Sequence, residues 1–173
     1  MKMNTNTNFE IAYTDINFNL LANYLFEEAY PQTDKNSFYW YKLKSVSLPK
    51  LERLLKFKIH MHQLKDYWNC CITDNWEGFY DDQVYNKIIE GRYKLLADYL
   101  FHECYGITTY NIHKWSKVRA KALPRISIYV KNLSKTYPHT IDKYWNYFKT
   151  DDFRGFSDTV VCDIVTDVIN KLR

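Results

Sequence analysis

The side chains able to do chemistry fall into four groupings. His60 and His62 stand two apart, shortly before the adjacent thiols Cys70 and Cys71. Imidazole and thiolate are the usual ligands of zinc. A helix, however, sets residues two apart on nearly opposite faces, and a shared ion needs an i, i+4 pair. His102-Glu103-Cys104 offers imidazole, carboxylate and thiol in a row, again on diverging directions. Carboxylates gather in Asp74, Glu77, Asp81 and Asp82, and again in Asp151, Asp152 and Asp158. Two carboxylates can do acid–base work, but carboxylates ahead of a helix also favour its amino terminus, and capping accounts for both groups. There is no phosphate loop, dinucleotide fingerprint or nucleophile elbow. The expectation is a non-catalytic protein with no metal site and no cofactor.

The fourth grouping is basic. Lys114, Lys117, Arg119, Lys121, Arg125 and Lys131 follow one another in the second half of the chain. Lys42, Lys44, Lys50, Arg53, Lys56 and Lys58 do so in the first. Cations of this density suit phosphate contacts. Tyr39, Tyr41, Tyr110 and Tyr129 interleave with them, which suits stacking on unpaired bases. The same runs also read as solvated helix faces. A net charge of +4 and a pI near 8.7 permit a nucleic-acid or acidic-protein partner without demanding one.

These groupings recur because the chain repeats itself. Leu20-Leu21-Ala22-Asn23-Tyr24-Leu25-Phe26 reads almost letter for letter as Leu95-Leu96-Ala97-Asp98-Tyr99-Leu100-Phe101, an offset of 75. The offset holds through Asn36/Asn111, Trp40/Trp115 and Pro49/Pro124, then becomes 77 for Tyr67-Trp68-Asn69/Tyr144-Trp145-Asn146 and Asp81/Asp158. Fixed-period agreement of this kind marks a tandem duplication. Within it Glu77 is matched by Arg154, which weakens a catalytic reading of the acidic loops. Cys104 is matched by Ala29, Cys162 by Tyr85, and Cys70 and Cys71 by Tyr147 and Phe148. Exchange with such residues predicts space-filling, reduced thiols. The paired tryptophans read as core anchors.

Each unit reads as helices. Apolar residues at 18, 21, 25, 26 and 29, and at 93, 96, 97, 100, 101 and 104, keep helical spacing. Pro31 and Gly106 end those helices. A short helical run carrying Trp40 or Trp115 follows. Leu48-Pro49 and Leu123-Pro124 predict a break, with proline in the first turn of the next helix and Ser47 as its cap in the first unit. A further run carries the Tyr-Trp-Asn triplet. The closing helix of the first unit starts near Asp81 and continues through Gly91, and that of the second spans about 158–172. Only 4 Gly and 4 Pro argue against a β-sandwich. The expected fold is all-α: a polar arm over 1–15 with Phe9, Ile11 and Tyr13 alternating, helical repeat 1 over 16–90 and helical repeat 2 over 91–173. No apolar run reaches the roughly 18–20 residues of a membrane span, and no secretory signal is visible. That predicts a cytoplasmic protein, in the host cytoplasm if phage-encoded, without a membrane partner.

Gly106-Ile107-Thr108, followed by Ile112 and Trp115 after a helix ending at Tyr105, resembles the helix-turn-helix of phage-repressor-type DNA-binding domains. The resemblance implies that Gly106 takes a positive φ, Thr108 caps the second helix, and Ile112 and Trp115 fasten it to the core. It also implies an exposed face of Thr109, Tyr110, His113 and Lys114. Repeat 1 has Pro31, Gln32 and Ser37 at the matching positions. DNA is then the expected partner, with Lys117, Arg119, Lys121 and Arg125 on phosphates, joined by Lys42 and Lys44 from repeat 1. The alternative is a phage or mobile-element protein that masks a surface of a host defence complex, with exposed Tyr and Trp of the Tyr-Trp-Asn triplets as its anchors.

Overall fold

Local chemistry sets where the helices start and stop. In a computed structural model, which describes residues 16–77, 81–154 and 157–173, those residues form seven helices and no strand. Helix α1 (Phe18–Ala29) begins where the Asn17 side chain accepts a hydrogen bond from the Leu20 N–H at 3.0 Å. It stops at Tyr30, before Pro31. Helices α2 (Ser37–Phe57), α3 (Met61–Thr73) and α4 (Asp82–Cys104) follow. Then come α5 (Ile112–Thr136), α6 (Pro138–Thr150) with proline in its first turn, and α7 (Thr159–Lys171). Helices α3 and α6 both end on an aspartate in the left-handed region, Asp74 and Asp151, each at φ 51°. Asparagine and aspartate visit that region more readily than most residues.

The helices expected over 18–30, from Asp81 through Gly91, and near 158–172 are present as α1, α4 and α7. The break expected at each proline is not. Pro49 lies inside the continuous α2 and Pro124 inside the continuous α5. A proline in a helix interior removes one hydrogen bond and costs about 3 kcal/mol. Both rings are exposed, while apolar residues on either side of each are buried on one face: Leu43, Leu51, Leu54 and Leu55 in α2, and Val118, Ala122, Ile126 and Val130 in α5. Burying each Val, Leu or Ile stabilises by roughly 1.5–3 kcal/mol, so the four leucines of α2 and the three such residues of α5 outweigh the local penalty. Ser47, expected as a cap, is instead a fully buried mid-helix residue whose hydroxyl has no hydrogen-bond partner among the described residues.

The described residues group into two compact units. One takes the described chain up to Pro31 and Ser47–Lys87; the other takes Gln32–Val46 and Ile88–Arg173. In the first, α1 packs on α3, and Leu21, Leu25, Phe26, Leu55, Leu64 and Trp68 are buried. Tyr24 stacks with Trp76 at 6.3 Å. In the second, α5 packs on both α6 and α7. Tyr39, at the start of α2, meets Trp145 and Phe148 edge-on at 5.7 and 5.2 Å, and Tyr99 meets Phe148 at 4.2 Å. The arm over 1–15, and Gly78, Phe79, Gly155 and Phe156 of the two acidic loops, lie outside the described residues. None of the described helices is long and apolar enough to cross a membrane.

The cysteines correct the sequence reading. Cys70 and Cys71 are free, and burial pushes the Cys71 thiol up from its ordinary pKa. Cys104 and Cys162 instead form a disulfide with their Cα atoms 5.3 Å apart. The fold brings the end of α4 beside the start of α7, a proximity that spacing along the chain does not reveal. Chain closure of this length stabilises chiefly by restricting the unfolded state. Replacing both residues, Cys104→Ser with Cys162→Ser, is expected to lower unfolding free energy by about 2–4 kcal/mol, read by urea denaturation. Reductant is expected to shift the parent protein but not the double variant.

Candidate functional site

The second unit carries the later of the two basic runs singled out above on one helix, α5. Its buried stripe of Val118, Ala122, Ile126 and Val130 recurs every four residues and faces the core. Beside it, His113, Lys114, Lys117 and Lys121 are exposed. Spacings of three and four put the three lysines on one side of the helix. None of them forms an ion pair among the described residues.

The two arginines behave differently. Arg119 Nε donates to Asp98 Oδ1 on α4 at 2.8 Å, and the guanidinium lies 5.8 Å from the Trp115 ring. Arg125 donates to Asp167 on α7 at 2.6 Å, and Lys171 approaches the same carboxylate at 2.9 Å. Those two cations hold the Asp167 carboxyl below the usual carboxylate range. Both arginines therefore tie α5 to a neighbouring helix. Lys42 is also engaged: its ammonium donates to the Tyr99 hydroxyl and lies 4.1 Å from the Phe38 ring centroid. Lys44 lies over the Trp40 ring at 4.8 Å.

The turn that enters α5 is built on Asn111. Its side-chain oxygen accepts from the Thr108 N–H at 2.7 Å, and its amide donates to the Gly106 carbonyl at 2.9 Å. Asn36 repeats the first contact, accepting from the Thr33 N–H at 2.7 Å. This corrects three expectations. Thr108 is not the cap, since asparagine offers both a donor and an acceptor. Gly106 is not in the left-handed region, and an added Cβ there would make only an ordinary 3.6 Å contact with the His102 carbonyl. Ile112 is 51% exposed rather than fastened to the core. Trp115 is half-buried, its indole N–H donating to the Tyr105 carbonyl at 3.0 Å and its ring beside Phe101 and His102. Trp40, by contrast, is buried. Thr109 is exposed, and Tyr110 is 99% exposed.

One buried carboxylate fixes the other half of α5. Asp158, 6% exposed, accepts from the Val161 N–H at 3.2 Å and so caps α7. It also accepts from the hydroxyls of Tyr129 on α5 at 2.9 Å and Tyr144 on α6 at 2.5 Å. Tyr129, read from sequence as a stacking residue, is thus a structural tie. Burial first, then the hydrogen bond to Asp158, pushes the Tyr129 hydroxyl up to about 12 and raises Tyr144 as well. The first unit holds a smaller version: Asp81 accepts from the Val84 N–H at 3.0 Å and from the Tyr67 hydroxyl. The capping expected of Asp81 and Asp158 is present in both.

An open cleft beside α4 is lined by Lys42, Asp98, Tyr99, His102 and Glu103. Burial, then the nearby Asp151, raises the Glu103 carboxyl, while His102 opposes the shift. The expected divergence of His60 and His62 is absent. Helix α3 starts only at Met61, and the two rings stack 6.0 Å apart. Among the described residues no three His, Cys, Asp or Glu side chains gather as a metal site. No known family, curated protein or solved structure matches this chain.

Two outcomes follow from the Asp158 contacts. Asp158→Ala removes the acceptor of two tyrosine hydroxyls and a helix cap, so stability is expected to fall by about 2–4 kcal/mol in chemical denaturation. Tyrosines whose folded pKa lies above the ordinary 10.0 keep their proton longer in the folded state. The unfolded chain then loses protons first, so the tyrosines' contribution to stability is constant below pH 10.0 and falls as pH rises toward about 12. Tyr129→Phe is expected to make that alkaline decline shallower.

Proposed function

We propose that this chain is a non-enzymatic binding protein, made of two copies of one helical unit, that holds nucleic acid on the lysine face of α5. The observation that carries the reading is the division of charge on that helix. Arg119 and Arg125 are spent on Asp98 and Asp167, whereas Lys114, Lys117 and Lys121 point to solvent without an acidic partner among the described residues. Three unpaired cations on one face cost some mutual repulsion in the free protein. A polyanion relieves that repulsion and gains counterion release.

Duplication is supported by matched local devices as well as by letters. Asn36 and Asn111 close the same turn, Asp74 and Asp151 take the same left-handed cap, and Asp81 and Asp158 make the same aspartate–tyrosine cap. The helix-turn-helix character belongs to the proposal too: α4 ends at Cys104, a turn closed by Asn111 follows, and α5 presents its first residues outward. The exposed Thr109, Tyr110, His113 and Lys114 are the side chains that would meet bases. Lys117 and Lys121 would meet phosphates, while Arg119 and Arg125 hold the helix in place. A protein partner is the second reading, favoured by Phe38 and Tyr41, two exposed aromatic residues on α2.

The test is the combined variant Lys114→Glu, Lys117→Glu and Lys121→Glu, all at exposed positions. Its fold is expected to be unchanged by circular dichroism. Its affinity for nucleic acid is expected to fall by about a hundredfold or more, and the parent affinity to fall with salt with a log–log slope of about −2 to −3. Affinity that survives the triple change, or a lysate partner retained after nuclease treatment in place of nucleic acid, would sink the reading.

A further inference from the structure

Resting on that reading, we infer that the ligand of α5 is a single strand, DNA or RNA, and that Tyr110 is the platform on which one of its unpaired bases stacks. Tyr110 is 99% exposed and makes no ring contact among the described residues, so the faces of its ring are open. The ring is not on a loose loop. Asn111 ties the turn through Thr108 and Gly106, and the Asn111 N–H donates to the Thr108 carbonyl at 3.3 Å. The backbone at Tyr110 is therefore held by a closed turn that presents the side chain to solvent.

The surroundings of the ring separate single strand from duplex. Ile107 and Ile112, on either side of it, are 56% and 51% exposed, so the tip that leads into α5 carries apolar surface beside the polar Thr108 and Thr109. A duplex hides its base faces within the stack and offers a protein phosphates and polar base edges. The two isoleucines gain little from either. An unpaired base offers a π-face, and stacking on an aromatic ring tolerates any base. Behind the tip, Lys114, Lys117 and Lys121 run along about 10 Å of helix at 1.5 Å per residue. They form a charged track that the backbone of the same strand can follow once its base is seated. The placement of ring and lysines on one turn and the helix it opens is the basis of the assignment.

The experiment is fluorescence anisotropy on the full chain with its disulfide intact. The probes are a labelled oligothymidylate of about 15 nucleotides, an oligouridylate of the same length, and the corresponding DNA duplex. Either single strand is expected to bind about tenfold or more tightly than the duplex. Tyr110→Ala is expected to weaken single-strand binding about tenfold, leaving the melting temperature unchanged. Tyr110→Phe, which keeps the ring, is expected to bind as the parent does. Equal or tighter duplex binding, or single-strand affinity indifferent to Tyr110→Ala, overturns this inference. If binding is still lost in the lysine triple variant, nucleic-acid binding by α5 stands without it. Binding indifferent to the lysines as well removes both.

Discussion

A carboxylate taken out of water must find donors, and Asp158 meets that demand from three helices at once. Its cap on α7 satisfies an N–H that the helix leaves unpaired, and the hydroxyls of Tyr129 and Tyr144 bring α5 and α6 to the same point. An anion left there with fewer donors is costly, because hydrogen bonds to a charged group gain strength where water is absent. The contact thus sets more than local stability. It fixes the rotation of α5 about its own axis, since Tyr129 reaches Asp158 only when Val118, Ala122, Ile126 and Val130 face inward. With that rotation set, the lysines flank the buried stripe and stay in solvent.

Arginine and lysine divide the work on α5 according to their chemistry. A guanidinium is planar, delocalised and weakly hydrated, which suits a fixed pairing between helices. Arg119 and Arg125 hold such places against Asp98 and Asp167. An ammonium is compact and strongly hydrated, and Lys114, Lys117 and Lys121 keep theirs in solvent. Exposed ion pairs contribute little to stability. The arginine contacts matter mainly for orientation, alongside a core that supplies most of the free energy of folding.

Much of the fold is legible in the letters. The spacing of Leu21, Leu25 and Phe26 finds α1, and Asp81 and Asp158 announce the helices they cap. Three features are not legible, each for a physical reason. Proline is a local signal, and at Pro49 and Pro124 a long buried face on either side overrides it. The bond between Cys104 and Cys162 depends on tertiary proximity, and their counterparts Ala29 and Tyr85 point away from it. The turn before α5 looks like a glycine turn capped by threonine, whereas Asn111, with a donor and an acceptor on one short side chain, does the work of both. At the candidate site the lysines were legible from spacing alone. The diversion of Arg119, Arg125 and Tyr129 to structural contacts was not, because their acceptors are distant in sequence.

The disulfide between Cys104 and Cys162 closes a covalent ring around α5 and α6. A protease that nicks the exposed tip at Ile107 or Tyr110 therefore opens a circle and releases no fragment. The severed ends stay tethered through sulfur, and the lysine-bearing helix remains part of the same molecule.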